Sequence, residues 1–157
     1  MHKTAVLRSA LICSLLAGAG WMYAVAQHSQ ALGRESGAFV KDAVMAIGAH
    51  WDTAELLTRA TPDFRDHAKQ DDFSAKFVAA NNTLGPVVEY RAVAAEMKAP
   101  WLPTSNAVSA KYIVKCGFEK GEAEIELHVV KDGTSWRIDD FMIGATPEMK
   151  KYFGLEG

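Results

Sequence analysis

The chain has 157 residues, 49% of them hydrophobic and 23% charged, which is one domain's worth of globular sequence plus a short extra segment. A formal net charge of −2, with both signs alternating along the chain, leaves no basic stripe to neutralise phosphates, so nucleic acid is not an expected partner. Two cysteines, Cys13 and Cys116, exclude a disulfide framework within a monomer, because Cys13 sits in the first apolar run and leaves Cys116 without a partner.

That apolar run opens the chain. Lys3 and Arg8 precede eighteen uncharged residues, Ser9 to Ala26, that would extend roughly 27 Å as a helix, enough to cross a bilayer. Trp21 and Tyr23 suit the membrane–water interface of an anchored helix. Ala24-Val25-Ala26 equally forms the small-x-small pattern of a signal-peptidase site, with cleavage after Ala26. On either route Lys3 and Arg8 stay cytoplasmic and everything after Gln27 is exported. The expected location is the inner (cytoplasmic) membrane, single-pass with an exported C-terminal domain; the alternative is secretion to the periplasm after cleavage at Ala26. The organisation follows as residues 1–26 anchor or signal, 27–37 linker and 38–157 domain.

Within the domain, Phe39, Ala43, Ile47 and Trp51 recur at helical spacing, with Val40 and Val44 beside them. Asp52 is placed to cap a second short helix. Thr61-Pro62 reads as an N-cap followed by proline at the first helical position, and Asp71 or Asp72 caps a further helix carrying Phe73, Phe77, Ala80 and Leu84 on one face. Gly85-Pro86 stops it.

The pattern then changes to period two. "VVEYRAVAAEMK" and "AVSAKYIVKCGF" read as strands, the second with Val108, Ala110, Tyr112, Val114, Cys116 and Phe118 on one face. "EAEIELHVV" sets Ala123, Ile125, Leu127 and Val129 against Glu122, Glu124, Glu126 and His128. Lys120-Gly121 and Asp132-Gly133 supply tight turns between antiparallel neighbours. In "SWRIDDFMI" the step from Ile138 to Phe141 is three, so a bulge at Asp139-Asp140 is predicted to restore inward burial of Phe141 and Ile143. Thr146-Pro147-Glu148 reads as the start of a short terminal helix. The expectation is an α+β domain whose helices pack on a curved antiparallel sheet of about four strands. Trp136, Ile138, Ile125, Leu127, Tyr112 and Val114 should be buried against Phe39, Ile47, Trp51 and Phe77.

Helices first, then "LGPVVEYRAV", "YIVKCGF" and "AEIELHVVKDGTSWRIDDFMI": this order resembles the cystatin-like, nuclear-transport-factor-2-like superfamily, in particular its small exported bacterial domains. The resemblance implies a cone of sheet wrapped around helices. It implies no activity, since the superfamily serves enzymes, binding modules and scaffolds alike. A short cytoplasmic start, one helix and an exported domain also resemble the inner-membrane scaffold subunits of type IV secretion systems, though no residue motif carries that likeness.

Few residues suggest chemistry. Enzymes of the superfamily place carboxyl groups in the apolar cone, which makes Asp140 a catalytic candidate if the last strand runs without its bulge. Tyr112 on the inner face and His50 near the cone mouth are the others, each with a plainer reading as core tyrosine and helix-end histidine. Cys116 reads as a small hydrophobe, and His128, among glutamates, as a solvated side chain. The five histidines show no metal-ligand spacing, and no cofactor motif is present. In "APWLPTSN" two prolines hold Trp101 and Leu102 on a rigid loop suited to contacting a partner or the bilayer. The reading is a membrane-anchored, non-enzymatic binding or assembly module. Its expected partners are the membrane through residues 9–26 and another membrane or periplasmic protein, with a homo-oligomer left open. The alternative is a small-ligand-binding protein, or an isomerase- or dehydratase-type enzyme using the cone.

Overall fold

The computed structural model describes residues 28–70, 72–98 and 108–144. The segment 9–26 with Trp21 and Tyr23, the loop holding Trp101 and Leu102, Asp71 and the terminal helix expected from Thr146 lie outside the described residues. The chain divides into two units, residues 1–35 and 36–157; in the first, residues 28–35 are helical. No helix among the described residues is long and apolar enough to cross a membrane.

The protein is α+β. Helix α1 covers residues 28–50, α2 Thr53–Arg59, α3 Pro62–Gln70 and α4 Phe73–Leu84. Four strands follow, β1 Val87–Lys98, β2 Ser109–Phe118, β3 Gly121–Asp132 and β4 Ser135–Ile143, all antiparallel neighbours in the order β1-β2-β3-β4. The segment 27–37, read as a linker, is helical from residue 28, and Ser36 within it is fully buried.

Side-chain chemistry explains the helix limits. In the second unit α1 buries Ser36, Val40, Ala43, Val44 and Ile47, steps of three and four that make one stripe. Phe39 is only half-buried, whereas Ala43 and Ile47 of its expected stripe are fully buried together with Val40 and Val44. Trp51 is buried as anticipated but is not part of the helix: its φ of 51° places it in the left-handed region, which ends α1. Asp52 Oδ1 accepts from Ala54 N at 2.8 Å to start α2. Thr61 Oγ1 accepts from Phe64 N at 3.2 Å to start α3. Asp72 caps α4 by accepting from Ala75 N at 3.3 Å, and Gly85, at φ 72°, stops it while its N–H donates to Asn81 O at 2.9 Å.

On the sheet, period-two burial holds across β2, β3 and β4. Ala110, Tyr112, Val114, Cys116, Phe118, Ala123, Ile125, Leu127, Val129, Trp136 and Ile138 are all buried on one face. The bulge lies where the three-residue step put it: Val129 pairs with Ile138 but His128 with Asp140, so Asp139 is the extra residue. Phe141 thereby returns to the core at 3% exposure. Ile143 is half-buried rather than buried, being the last residue of β4 at the end of the ladder.

Aromatic side chains join the layers. Phe77 of α4 meets Trp51 at 5.5 Å, Phe73 at 6.0 Å and Phe141 at 5.9 Å between ring centroids, each edge-on. Trp51 stacks on Phe118 of β2 at 5.5 Å. Gly48 lets α1 approach the sheet, since a Cβ there would lie 3.0 Å from Val87 Cβ.

The two sheet edges differ. Beside β4 the α2–α3 connection runs as a short parallel bridge, Ala60 against Ile138, with Thr61 N donating to Ile138 O at 2.8 Å. No described residue pairs with the outer edge of β1.

Candidate functional site

The inner-face polar groups are built into the core. Tyr112 is 4% exposed and its hydroxyl lies 2.7 Å from Ser36 Oγ. α1 comes close here: a Cβ on Gly37 would be 3.7 Å from the Tyr112 hydroxyl. Tyr90 of β1 shares this face through its pairing with Cys116, and its partial burial, with Tyr112 and Cys116 nearby, holds the phenol above its ordinary value.

Cys116 is fully buried, and desolvation pushes its thiol up to about 12 from an ordinary 9.0. The folded state therefore keeps a proton that the unfolded chain releases above about pH 9. Stability should fall as pH rises through that window, by up to about 1.4 kcal/mol per pH unit. Chemical denaturation of the wild type and of Cys116→Ala at several alkaline pH values checks this. Equal pH slopes in the two proteins would remove the thiol from the account.

The carboxylates occupy the bulge. Asp140 is exposed, pairs with His128 on the outer face and accepts from Phe141 N at 2.9 Å. Asp139, the extra residue itself, reaches two partners. Its Oδ1 accepts from Thr61 Oγ1 at 3.1 Å and its Oδ2 lies 3.2 Å from His128 Nδ1. His128 is therefore not simply solvated as the glutamate-rich strand suggested; the bulge brings Asp139 to it. Thr61 serves twice, capping α3 and fastening the helical connection to the bulge.

His50 is exposed at the end of α1. Tyr112 and Asp140 lie on opposite faces of the sheet, so the catalytic candidates are not gathered into one site. Among the described residues no three His, Cys, Asp or Glu side chains are grouped to hold a metal ion.

The outer face carries charges of both signs. Lys111 Nζ lies 2.5 Å from Glu126 and Lys115 Nζ 2.9 Å from Glu122, tying β2 to β3, while Arg137 meets Asp132 at 3.0 Å. Such exposed pairs each contribute about 0–1 kcal/mol. Their effect is on which strands can pair, since like charges directly opposite are unfavourable.

The His128–Asp139–Thr61 trio, like the Ser36–Tyr112 contact, is an arrangement that residue-by-residue reading missed. Its available signal was the bulge itself, which leaves an aspartate off the regular alternation. No protein-family model, curated protein or solved structure significantly matches the chain.

Proposed function

We propose that the chain is an exported, membrane-anchored, non-enzymatic binding or assembly module with a cystatin-like, nuclear-transport-factor-2-like domain. The observation that carries this reading is what fills the inner face of the sheet. Phe77, Val114, Ile125, Leu127 and Ile138 are each at most 1% exposed. The groups suited to acid–base chemistry are tied into the fold, as Tyr112 is to Ser36, or turned outward, as Asp140 is. Helices followed by a four-stranded antiparallel meander accord with the superfamily resemblance. Lys3 and Arg8 before an apolar run support export with the N-terminus inside.

The test uses the natively expressed full chain, washed with carbonate and then released from its own membranes in mild detergent. The mass should begin at Met1, trimmed or not, and the protein should resist carbonate and migrate in an assembly larger than the monomer. Trp101→Ser with Leu102→Ser should shrink that assembly, whereas Asp140→Asn should leave it intact. A soluble product beginning at Gln27 would end the anchor and keep the export. A free chain holding a small molecule that Asp140→Asn releases would replace the assembly reading by a ligand-binder or enzyme.

A further inference from the structure

Among the described residues β1 is an unpaired edge of the sheet, and its composition is unusual for one. Along its twelve residues, Ala92, Ala94 and Ala95 are exposed, and Glu89, Arg91, Glu96 and Lys98 are its charges. Edge strands commonly use charge to resist pairing with other chains. Here the charges form a palindrome. In "EYRAVAAEMK", read against itself antiparallel, Glu89 falls opposite Lys98, Arg91 opposite Glu96, Tyr90 opposite Met97 and Ala92 opposite Ala95.

Such a register pairs odd-numbered with even-numbered positions. In a regular strand that would put the members of every pair on opposite faces. β1 is not regular. Its pairing with β2 shifts between Ala92 and Ala94, making Val93 an extra residue at the centre of the palindrome. The shift reverses the alternation halfway along. Glu89, Arg91, Glu96 and Lys98 pair with Gly117, Lys115, Lys111 and Ser109, all on the outer face; Tyr90, Ala92, Ala95 and Met97 pair with Cys116, Val114, Tyr112 and Ala110, all on the inner face. The bulge thus makes the charge-matched register face-matched as well.

From this geometry we propose that β1 pairs antiparallel with β1 of a second copy of this chain. A two-fold axis passes between Val93 and Ala94, and the two four-stranded sheets become one of eight strands. Small alanines at the centre let the inner faces meet without a clash, with Tyr90 against Met97 on either side. Sliding the register by two residues sets Glu89 against Glu96 or Arg91 against Lys98, so the same charges that complete the dimer penalise its nearest alternatives. Arg91 meets Glu89 of its own strand at 2.7 Å, both side chains well exposed, and that weak pair gives way readily to the partner's Glu96. Pairing of β1 with itself about a two-fold axis uses the same edge of both copies, so the assembly closes at two chains through this edge.

Sedimentation of the full-length chain in mild detergent tests it. The wild type should be a dimer. Arg91→Glu and Glu96→Arg each turn two attractive contacts into repulsive ones and should weaken self-association about a hundredfold. Both side chains are exposed, so each variant should keep the wild-type far-UV circular dichroism and still unfold cooperatively. Mixing the two variants restores opposite charges at both contacts, and a heterodimer should form. A monomeric wild type, a dimer that survives in both variants, or a mixture that stays monomeric would each overturn the proposal; dissociation of both variants with recovery on mixing supports it.

Discussion

Replacing Trp51 by Ala is expected to lower the unfolding free energy by about 3–5 kcal/mol, the range for truncating a large core aromatic. Trp51 is 5% exposed and touches three parts of the fold at once. Its ring stacks on Phe118 of β2 and meets the edge of Phe77 in α4, and its Nε1 donates to Gly85 O at 2.8 Å where α4 ends. Truncation removes the packing and takes away the indole donor from a buried carbonyl. The backbone sharpens the test, because a bulky residue at φ 51° is strained. Glycine at this position loses the same side chain but adopts the left-handed conformation freely. Trp51→Gly should therefore be the milder change by about 1 kcal/mol. Urea denaturation followed by far-UV circular dichroism measures both. A Gly variant less stable than the Ala variant would show that the conformation at Trp51 is not what ends α1.

Phe77→Ala should cost a similar amount, about 3–5 kcal/mol, for a different reason. Phe77 is 1% exposed and stands between Trp51, Phe73 and Phe141, so its removal leaves a void bounded by three other aromatic rings. Those rings are held by α4, by the end of α1 and by the bulge of β4, and cannot all collapse inward together. Phe77→Leu, which keeps most of the volume, should cost about 1.5 kcal/mol or less. Because Trp51 and Phe77 share a contact, the double Ala variant should be more stable than the sum of the single losses implies, by about 0.5–3 kcal/mol. Additive losses measured in that cycle would mean the two rings do not form one cluster.

The cluster also explains why the bulge in β4 matters. Had β4 kept a regular alternation past Ile138, Phe141 would face away from Phe77 and Asp140 would turn to the inner face. The bulge was legible beforehand because only one large apolar residue, Phe141, broke an otherwise strict alternation. Its consequence for the candidate site was not legible. Asp139 meets Thr61, 78 residues away in sequence, and His128, 11 residues away. Nothing local to "IDDF" reports which neighbours a displaced side chain will find.

What the sequence determined by itself was local and periodic. The four strands, the inward face of β2 and β3, the caps at Asp52 and Thr61 and the stop at Gly85 each follow from a few adjacent residues, since backbone hydrogen bonding and side-chain alternation act over one or two turns. Even the palindrome in β1 is written in ten consecutive letters. Tertiary structure left Phe39 half-buried while burying Val40 beside it, and took Trp51 out of the helix to lock α4 against β2. It also placed Ser36 beside Tyr112, 76 residues away, and set Ala60 against Ile138 at the β4 edge, with no described residue paired to the outer edge of β1. These are choices among arrangements that satisfy the local pattern equally well. They are settled by how helices and sheet interlock at close packing, which depends on residues far apart in the chain.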